Sequence, residues 1–370
     1  MTHETVEAWT HDMRSMAQEG VEAPQRVGIV GLGLIGGSLA LRLKSSGCQV
    51  LAWNHRQHPY AHARAMGIEC FDNLTDLAAA RPDVLVLCNP LAAMPAVLEQ
   101  LKPALDTQHT TLTDVGSVKG IVRQQVKRVG LDDCYVGAHP MCGNELSGWQ
   151  AADEHLFHDA LWAMTFCEHT DYRRVMAVAG MITRQCRNRL IILDDQTHDR
   201  AAALISHMPH VVATSFINML TDNADRNIAM ALSAGSWRDM TRVALTDPDR
   251  TKAMVEENGG EVAQLLRSLS ARILAVADEL DAEQAGGAEA AQADQRLDAF
   301  FAKGDDYRRR KAMMKRQKEP GEQTEVLFNT LHVNPDHWRE DFLASAKRGE
   351  HIVRFTAPFR AIIEDGPSVK

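Results

Sequence analysis

Between residues 26 and 168 the chain alternates short apolar runs with stretches of helical periodicity. RVGIV (26–30), QVLAW (49–53), DVLVLC (83–88), TTLTDV (110–115) and CYVGAH (134–139) are each about strand length, and several are flanked by glycine, proline or asparagine. Strands alternating with helices predict a parallel sheet joined by right-handed crossovers. From about 172 the pattern changes. YRRVMAVAGMITRQCRN, then 198–222 and 250–280, read as helices with no convincing strand between them, which predicts a second, all-helical domain. Beyond Pro320, EVLFNTLHV and HIVRFTAPFRAII on either side of a helical middle predict a small strand–helix–strand appendage. The expected division is an N-terminal extension over 1–25, a doubly wound α/β domain over 26–170, a helical domain over 171–310, and a basic segment with its appendage over 311–370.

The segment ISHMPHVVATSF (205–216) interrupts this regularity. Pro209 removes a helical hydrogen bond in mid-helix, and two imidazoles, His207 and His210, flank it. On a helical wheel positions 204, 208, 211, 212, 215, 216 and 219 form one stripe, while Asp199, Ala203, Ser206, His207, His210, Thr214 and Asn218 gather elsewhere. No Asp, Glu, Lys or Arg occurs between 201 and 221. A solvent face of that length would carry Lys or Glu. The expectation is that the apolar stripe, Leu204 included, lies in the core and that the histidines face a ligand.

Composition narrows the class. The 370 residues suffice for two domains, and 45% hydrophobic with 24% charged residues is ordinary for a globular protein. A net charge of −9 argues against a general nucleic-acid binder. The run RRRKAMMKR (308–316) reads as a solvated helix face. Seven scattered cysteines without a CxxC pair suit a reducing compartment, and no metal-ligand spacing is present. The N-terminus lacks the apolar core of a signal peptide, and no apolar run is long enough to span a bilayer. A cytoplasmic location, with no membrane partner, is expected.

RVGIV is followed by GLGLIGGSLALRL, in which Gly31, Gly33 and Gly36 have the GxGxxG spacing directly after a strand and at the start of a helix. Gly31 allows the tight turn and Gly33 the approach of backbone amides to a pyrophosphate. Gly36 permits close helix–strand packing, and the helix N-terminus, with Leu34 and Ile35 in its first turn, favours the negative charge. This predicts a Rossmann-type dinucleotide-binding domain. The second strand ends in Asn54, His55 and Arg56, without the carboxylate that binds a ribose 2′-hydroxyl in NAD sites. Neutral donors and a cation suit a 2′-phosphate, so NADP is favoured over NAD. TDVGSVKG and VGAHPMCGNELSG place Ser117 and Lys119, then His139, Asn144, Glu145 and Ser147, at carboxyl ends of parallel strands, where such sheets bind ligands.

In this order and spacing, GLGLIGGS, DVGSVKG, HPMCGNELSG, SHMPH and SWRDMTR resemble the prephenate/arogenate dehydrogenases of tyrosine biosynthesis, over roughly residues 26–280. The resemblance implies that His139 is the catalytic histidine and Ser117 its hydrogen-bonding companion. It implies that Arg242 binds substrate carboxylate, that His210 with Ser206 and His207 lines the substrate pocket, and that Glu145 belongs to a polar network there with Asp239. It also implies a homodimer through the helical domain. Two rival readings are a β-hydroxyacid dehydrogenase, which shares the layout but leaves HPM and SHMPH unexplained, and a non-catalytic NADP-sensing module, which leaves Ser117, His139 and Arg242 unexplained.

Overall fold

The protein is seen in a computed structural model that describes residues 21–143, 146–317 and 328–365. The five strands expected from the apolar runs form at Arg26–Val30 (β1), Gln49–Trp53 (β2), Val84–Leu87 (β4), Thr111–Asp114 (β5) and Tyr135–Pro140 (β6), with a short β3 at Glu69–Cys70. They pair in parallel in the order β3-β2-β1-β4-β5-β6. β4 and β5 are buried at every residue, as a sheet covered on both faces requires. The chain order reverses between β1 and β4, which defines the switch point at whose carboxyl edge such sheets bind ligands.

The sheet then continues beyond what the pattern predicted. Leu161–Phe166 (β7) runs antiparallel to β6, and Arg189–Asp194 (β8) runs parallel to β7. β8 falls inside the region expected to be helical. Its apolar core is only the four residues Leu190–Leu193, too short for periodicity to separate a strand from a buried helical turn. The C-terminal segment is a strand, a helix and a hairpin: Phe328–His332 (β9), Trp338–Lys347, Glu350–Ala357 (β10) and Arg360–Asp365 (β11). HIVRFTAPFRAII is thus two strands, not one. β10 pairs antiparallel with β8, so the segment extends the main sheet to eleven strands instead of standing apart. An aromatic cluster seats it: Tyr172 stacks on Phe359 with centroids 4.7 Å apart, and Trp338 packs on Phe166 and Phe342.

The chain accordingly divides into two compact units at places other than those expected. The first runs to Ala202 and includes Leu245–Arg250 and Phe328–Glu364; the second holds Ala203–Ala244 and the helices after Thr251. The boundaries expected at 170 and 310 were set by pattern changes, which do not register that a late segment can return to an early sheet. Within the second unit every described element is helical, including Met208–Asp222, Gly259–Ala285 and Ala288–Ala302. The basic run lies on Asp305–Gln317, whose described side chains are mostly exposed. No helix among the described residues is long and apolar enough to cross a membrane.

Candidate functional site

The three glycines of the loop after β1 meet different surroundings. Gly31 has φ +107°, a conformation side chains rarely adopt, and a Cβ there would stand 3.0 Å from the Cys88 carbonyl oxygen. A Cβ on Gly36 would overlap the Gly31 carbonyl oxygen, so only glycine lets the helix Leu34–Ser45 approach the loop. A Cβ on Gly33 would meet nothing within 4 Å. Gly33 is also the N-cap of the helix and offers no side chain to its first-turn amides. The open space over Gly33 and the uncapped amides beside it fit the pyrophosphate of a dinucleotide. Leu34 is buried and Ile35 half-buried in the core, so the first turn offers backbone there.

The end of β2 is tied to the same loop. Asn54 Oδ1 accepts from the Leu32 amide at 2.8 Å, and its Nδ2 donates to the Arg56 carbonyl at 2.7 Å. The Asn54 amide in turn donates to the Tyr60 hydroxyl oxygen at 2.9 Å. His55 and Arg56 are exposed.

At the carboxyl ends of β5 and β6 lies a buried polar network. Lys119 and Asp114, both fully buried, form an ion pair, and Lys119 Nζ also donates to the Ala138 carbonyl at 2.7 Å. Asp114 accepts from the Tyr135 hydroxyl at 2.8 Å and from the Gly116 amide at 2.8 Å. This network fixes the loop carrying Ser117 against the strand carrying His139. Ser117 is half-buried on its loop.

The partner at His139 Nδ1 is a second imidazole: His198 Nε2 lies 3.0 Å away. His198 Nδ1 is 2.8 Å from Asp199 Oδ1, and Asp199 accepts the Lys119 and Gly120 amides at 2.8 Å each. Burial works against the Asp199 charge, but the imidazole and the two amides hold the carboxyl below its ordinary pKa. His198 is not evident from the sequence, and Asp199 enters there only as a member of the polar side of the wheel, with no link to His139. They lie on Asp195–Ala202, directly after the unread strand β8, so nothing in the pattern placed that helix on the sheet.

The second unit carries the remaining expected residues, and it separates the two histidines. Ala203–His207 is a π-helical turn leading into Met208–Asp222, with Pro209 in the first turn of the new helix, where its missing donor costs least. His207 is buried and its Nδ1 lies 3.1 Å from the Asn258 side-chain nitrogen, so it is a packing residue of the unit. His210 is half-buried, and its Nδ1 is a buried atom without a hydrogen-bond partner among the described residues. Its pKa is lowered by burial and by the Arg242 cation, against the backbone contact with Val243. Ser206 is half-buried, and Arg242 and Asp239 are exposed. Leu204 is 52% exposed, contrary to its expected place in the core. The rest of the stripe is not core either: within Met208–Asp222 only Ala213 is buried, and Met219 is 69% exposed. Glu145 and Asn144 lie outside the described residues.

An open glycine cradle at the switch point and an imidazole relay at the end of β6 define a dinucleotide-dependent oxidoreductase. The comparisons narrow the class. The nucleotide-binding domain of prephenate dehydrogenase matches residues 39–192, and the dimerization domain of prephenate dehydrogenase matches 194–289. Cyclohexadienyl dehydrogenase of Zymomonas mobilis is 31% identical over 247 residues, 65% of this chain and 84% of that protein. Prephenate dehydrogenase of Lactococcus lactis is 29% identical over 229 residues, 60% of this chain, and the match spans 62% of the Lactococcus protein's length. A crystal structure of prephenate dehydrogenase from A. aeolicus, in complex with hydroxyphenyl propionate and NAD+, has the same fold. Its TM-score is 0.65 at 24% identity, over 75% of this chain and 98% of that one. The chain belongs to the prephenate dehydrogenase family, an oxidoreductase family.

Proposed function

We propose that the protein catalyses the NAD(P)-dependent oxidative decarboxylation of prephenate to 4-hydroxyphenylpyruvate or of arogenate to tyrosine. The observation that carries this reading is His139, held at the carboxyl end of β6 by a hydrogen bond to His198. The substrate is a cyclohexadiene with a hydroxyl at C4 and a carboxylate on the opposite ring carbon. Hydride leaves C4, carbon dioxide leaves the opposite carbon, and formation of the aromatic ring drives both. A nicotinamide bound over the glycine loop supplies the hydride acceptor.

The chain's own work is to take a proton and hold a substrate carboxylate. His139 accepts the hydroxyl proton as general base, and Ser117 on the neighbouring loop orients the hydroxyl. Arg242 takes a substrate carboxylate with its planar fork. His210 contacts the substrate through an imidazole whose pKa burial holds below its ordinary value; Ser206 lines the same pocket, and Glu145 joins the polar network. His207, buried on Asn258, contributes by fixing the helix.

Gly31, Gly33 and Gly36 with the amides of Leu34 and Ile35 hold the cofactor phosphates. NADP is favoured because β2 ends without a carboxylate, Asn54 is occupied in bracing the loop, and Arg56 is exposed and able to reach a 2′-phosphate. The protein acts as a homodimer through its helical unit; the match to a dimerization domain and the exposed apolar side chains of Leu204, Ile205, Met219, Ile273 and Leu274 support this. The test is a matrix of initial rates, both substrates against both cofactors, followed through the absorbance of the reduced nicotinamide. No turnover in any of the four combinations removes this reading.

A further inference from the structure

We infer that His198 and Asp199 act as a positioning couple that fixes the tautomer of His139 and receives the charge it acquires. The inference rests on the reading of His139 as proton acceptor.

The argument starts at Asp199. Its carboxylate accepts two backbone amides, those of Lys119 and Gly120, at the N-terminal end of the helix Gly120–Arg128. A carboxylate in that position is favoured as an anion and can only accept. His198 Nδ1, at 2.8 Å, must then be the donor. A neutral His198 with its proton on Nδ1 has a bare Nε2, which can only accept. The atom facing it at 3.0 Å is His139 Nδ1, which must therefore carry a proton. A neutral His139 protonated at Nδ1 presents Nε2 as its acceptor. One ionised carboxylate thus sets the tautomers of two rings in series.

The same chain has a consequence for the proton. When His139 Nε2 takes the hydroxyl proton, the ring becomes an imidazolium whose Nδ1–H points at His198 Nε2. The Nδ1 proton can move to His198 Nε2, which leaves His139 neutral and His198 cationic, 2.8 Å from Asp199. No electron pair leaves the rings, and the one positive charge ends beside the one carboxylate. The logic is that of a serine–histidine–aspartate triad with a second ring inserted. Of the charged groups on the packed elements, Lys119 is joined to Asp114 and Arg123 to Asp195 and Asp132, Asp194 accepts from Thr197, and Arg200 is exposed. His198 and Asp199 are both nearly inaccessible, which keeps water from competing for these bonds.

Asp199→Asn is the principal test. An asparagine amide can donate to His198 Nδ1, which would reverse both tautomers and leave His139 Nε2 protonated. We expect kcat to fall by about 10²–10⁴-fold, with the Michaelis constant and the cofactor dissociation constant unchanged within a few-fold. His198→Gln keeps an acceptor for His139 Nδ1 but cannot take a proton, and should lose about tenfold in kcat, less than the loss of the base itself. A readout independent of turnover is the imidazole nitrogen spectrum of the full-length protein. His139 should be protonated at Nδ1 in the parent and at Nε2 in Asp199→Asn. A parent ring already protonated at Nε2, or an Asp199→Asn variant with the parent's kcat, overturns the inference. A parent with the Nδ1 tautomer that turns over neither substrate overturns the functional reading instead, and leaves the coupling of the three residues standing.

Discussion

Asn54 Oδ1 accepts the amide hydrogen of Leu32 at 2.8 Å, so the residue that directly follows β2 braces the glycine loop. Choice between the two cofactors then falls to the exposed residues that follow it. Arg56→Ala should raise the Michaelis constant for NADP about tenfold, the loss of one charge-assisted bond worth about 1.4 kcal/mol, and leave that for NAD unchanged. Asn54→Asp retains the acceptor for Leu32 and adds a negative charge, which should move preference toward NAD. Measured specificity constants for both cofactors decide this. If Arg56→Ala affects both cofactors equally, Arg56 does not read the 2′-phosphate.

The glycines allow a sharper separation of fold from binding. Gly36→Ala forces a methyl group into the Gly31 carbonyl oxygen, so it should lower the melting temperature and cofactor affinity together. Gly33→Ala meets no atom within 4 Å and its φ of −86° suits alanine. It should melt with the parent yet bind dinucleotide at least about tenfold more weakly, by obstructing the phosphate approach. Equal affinity in Gly33→Ala and the parent would move the pyrophosphate away from this loop.

What could be read from the residues alone follows from the range over which the forces act. The glycine spacing, the five parallel strands and the strand-end placement of His139 are local, and the structure reproduces all of them. β8 was not legible, because four apolar residues carry no usable period. The helix after it was legible as a helix from 198, but with β8 went its seat on the sheet, and with that seat the importance of His198, which arises only from a partner 59 residues earlier. Leu204 and Met219 were misplaced because an amphipathic pattern marks an apolar face without saying what covers it. Docking of β10 on β8 is likewise a long-range pairing that no window of sequence contains.

Lys119 tests the frame around the site. Its side chain and that of Asp114 are fully buried and paired. Lys119→Met leaves a carboxylate buried without its cation, which should cost about 3–5 kcal/mol in urea unfolding. Tyr135→Phe removes one neutral donor from the same carboxylate and should cost about 1–3 kcal/mol. A Lys119→Met variant as stable as the parent would mean that water reaches Asp114.

His210 gives a dependence on pH whose sign can be stated. Burial, first, and then the Arg242 cation hold its folded pKa below the ordinary value of 6.5. The unfolded chain therefore binds the proton more readily, and its stabilising contribution is present above the ordinary value and lost as pH falls through the depressed one. Parent protein should lose more of its urea midpoint than His210→Ala between about pH 8 and about pH 5, the range in which imidazoles titrate. Parallel curves would show that His210 is solvated like a free imidazole.

The two histidines flanking Pro209 should behave as different kinds of residue. His207 is 1% exposed and bonded to the buried Asn258, so His207→Ala removes one buried hydrogen bond and its packing and should cost about 1–3 kcal/mol of stability. His210 has a buried Nδ1 that no group among the described residues satisfies, a state that a bound ligand would relieve. His210→Ala should therefore melt close to the parent and raise the Michaelis constant for substrate, with NADP affinity unchanged. Leu204 is 52% exposed, and Leu204→Ala should not show the loss of a core truncation in the isolated chain. Under the homodimer reading its effect should appear instead in self-association, measured by sedimentation at falling protein concentration. If Leu204→Ala unfolds early at all concentrations while His207→Ala melts with the parent, the stripe is core after all and the buried histidine is the dispensable one.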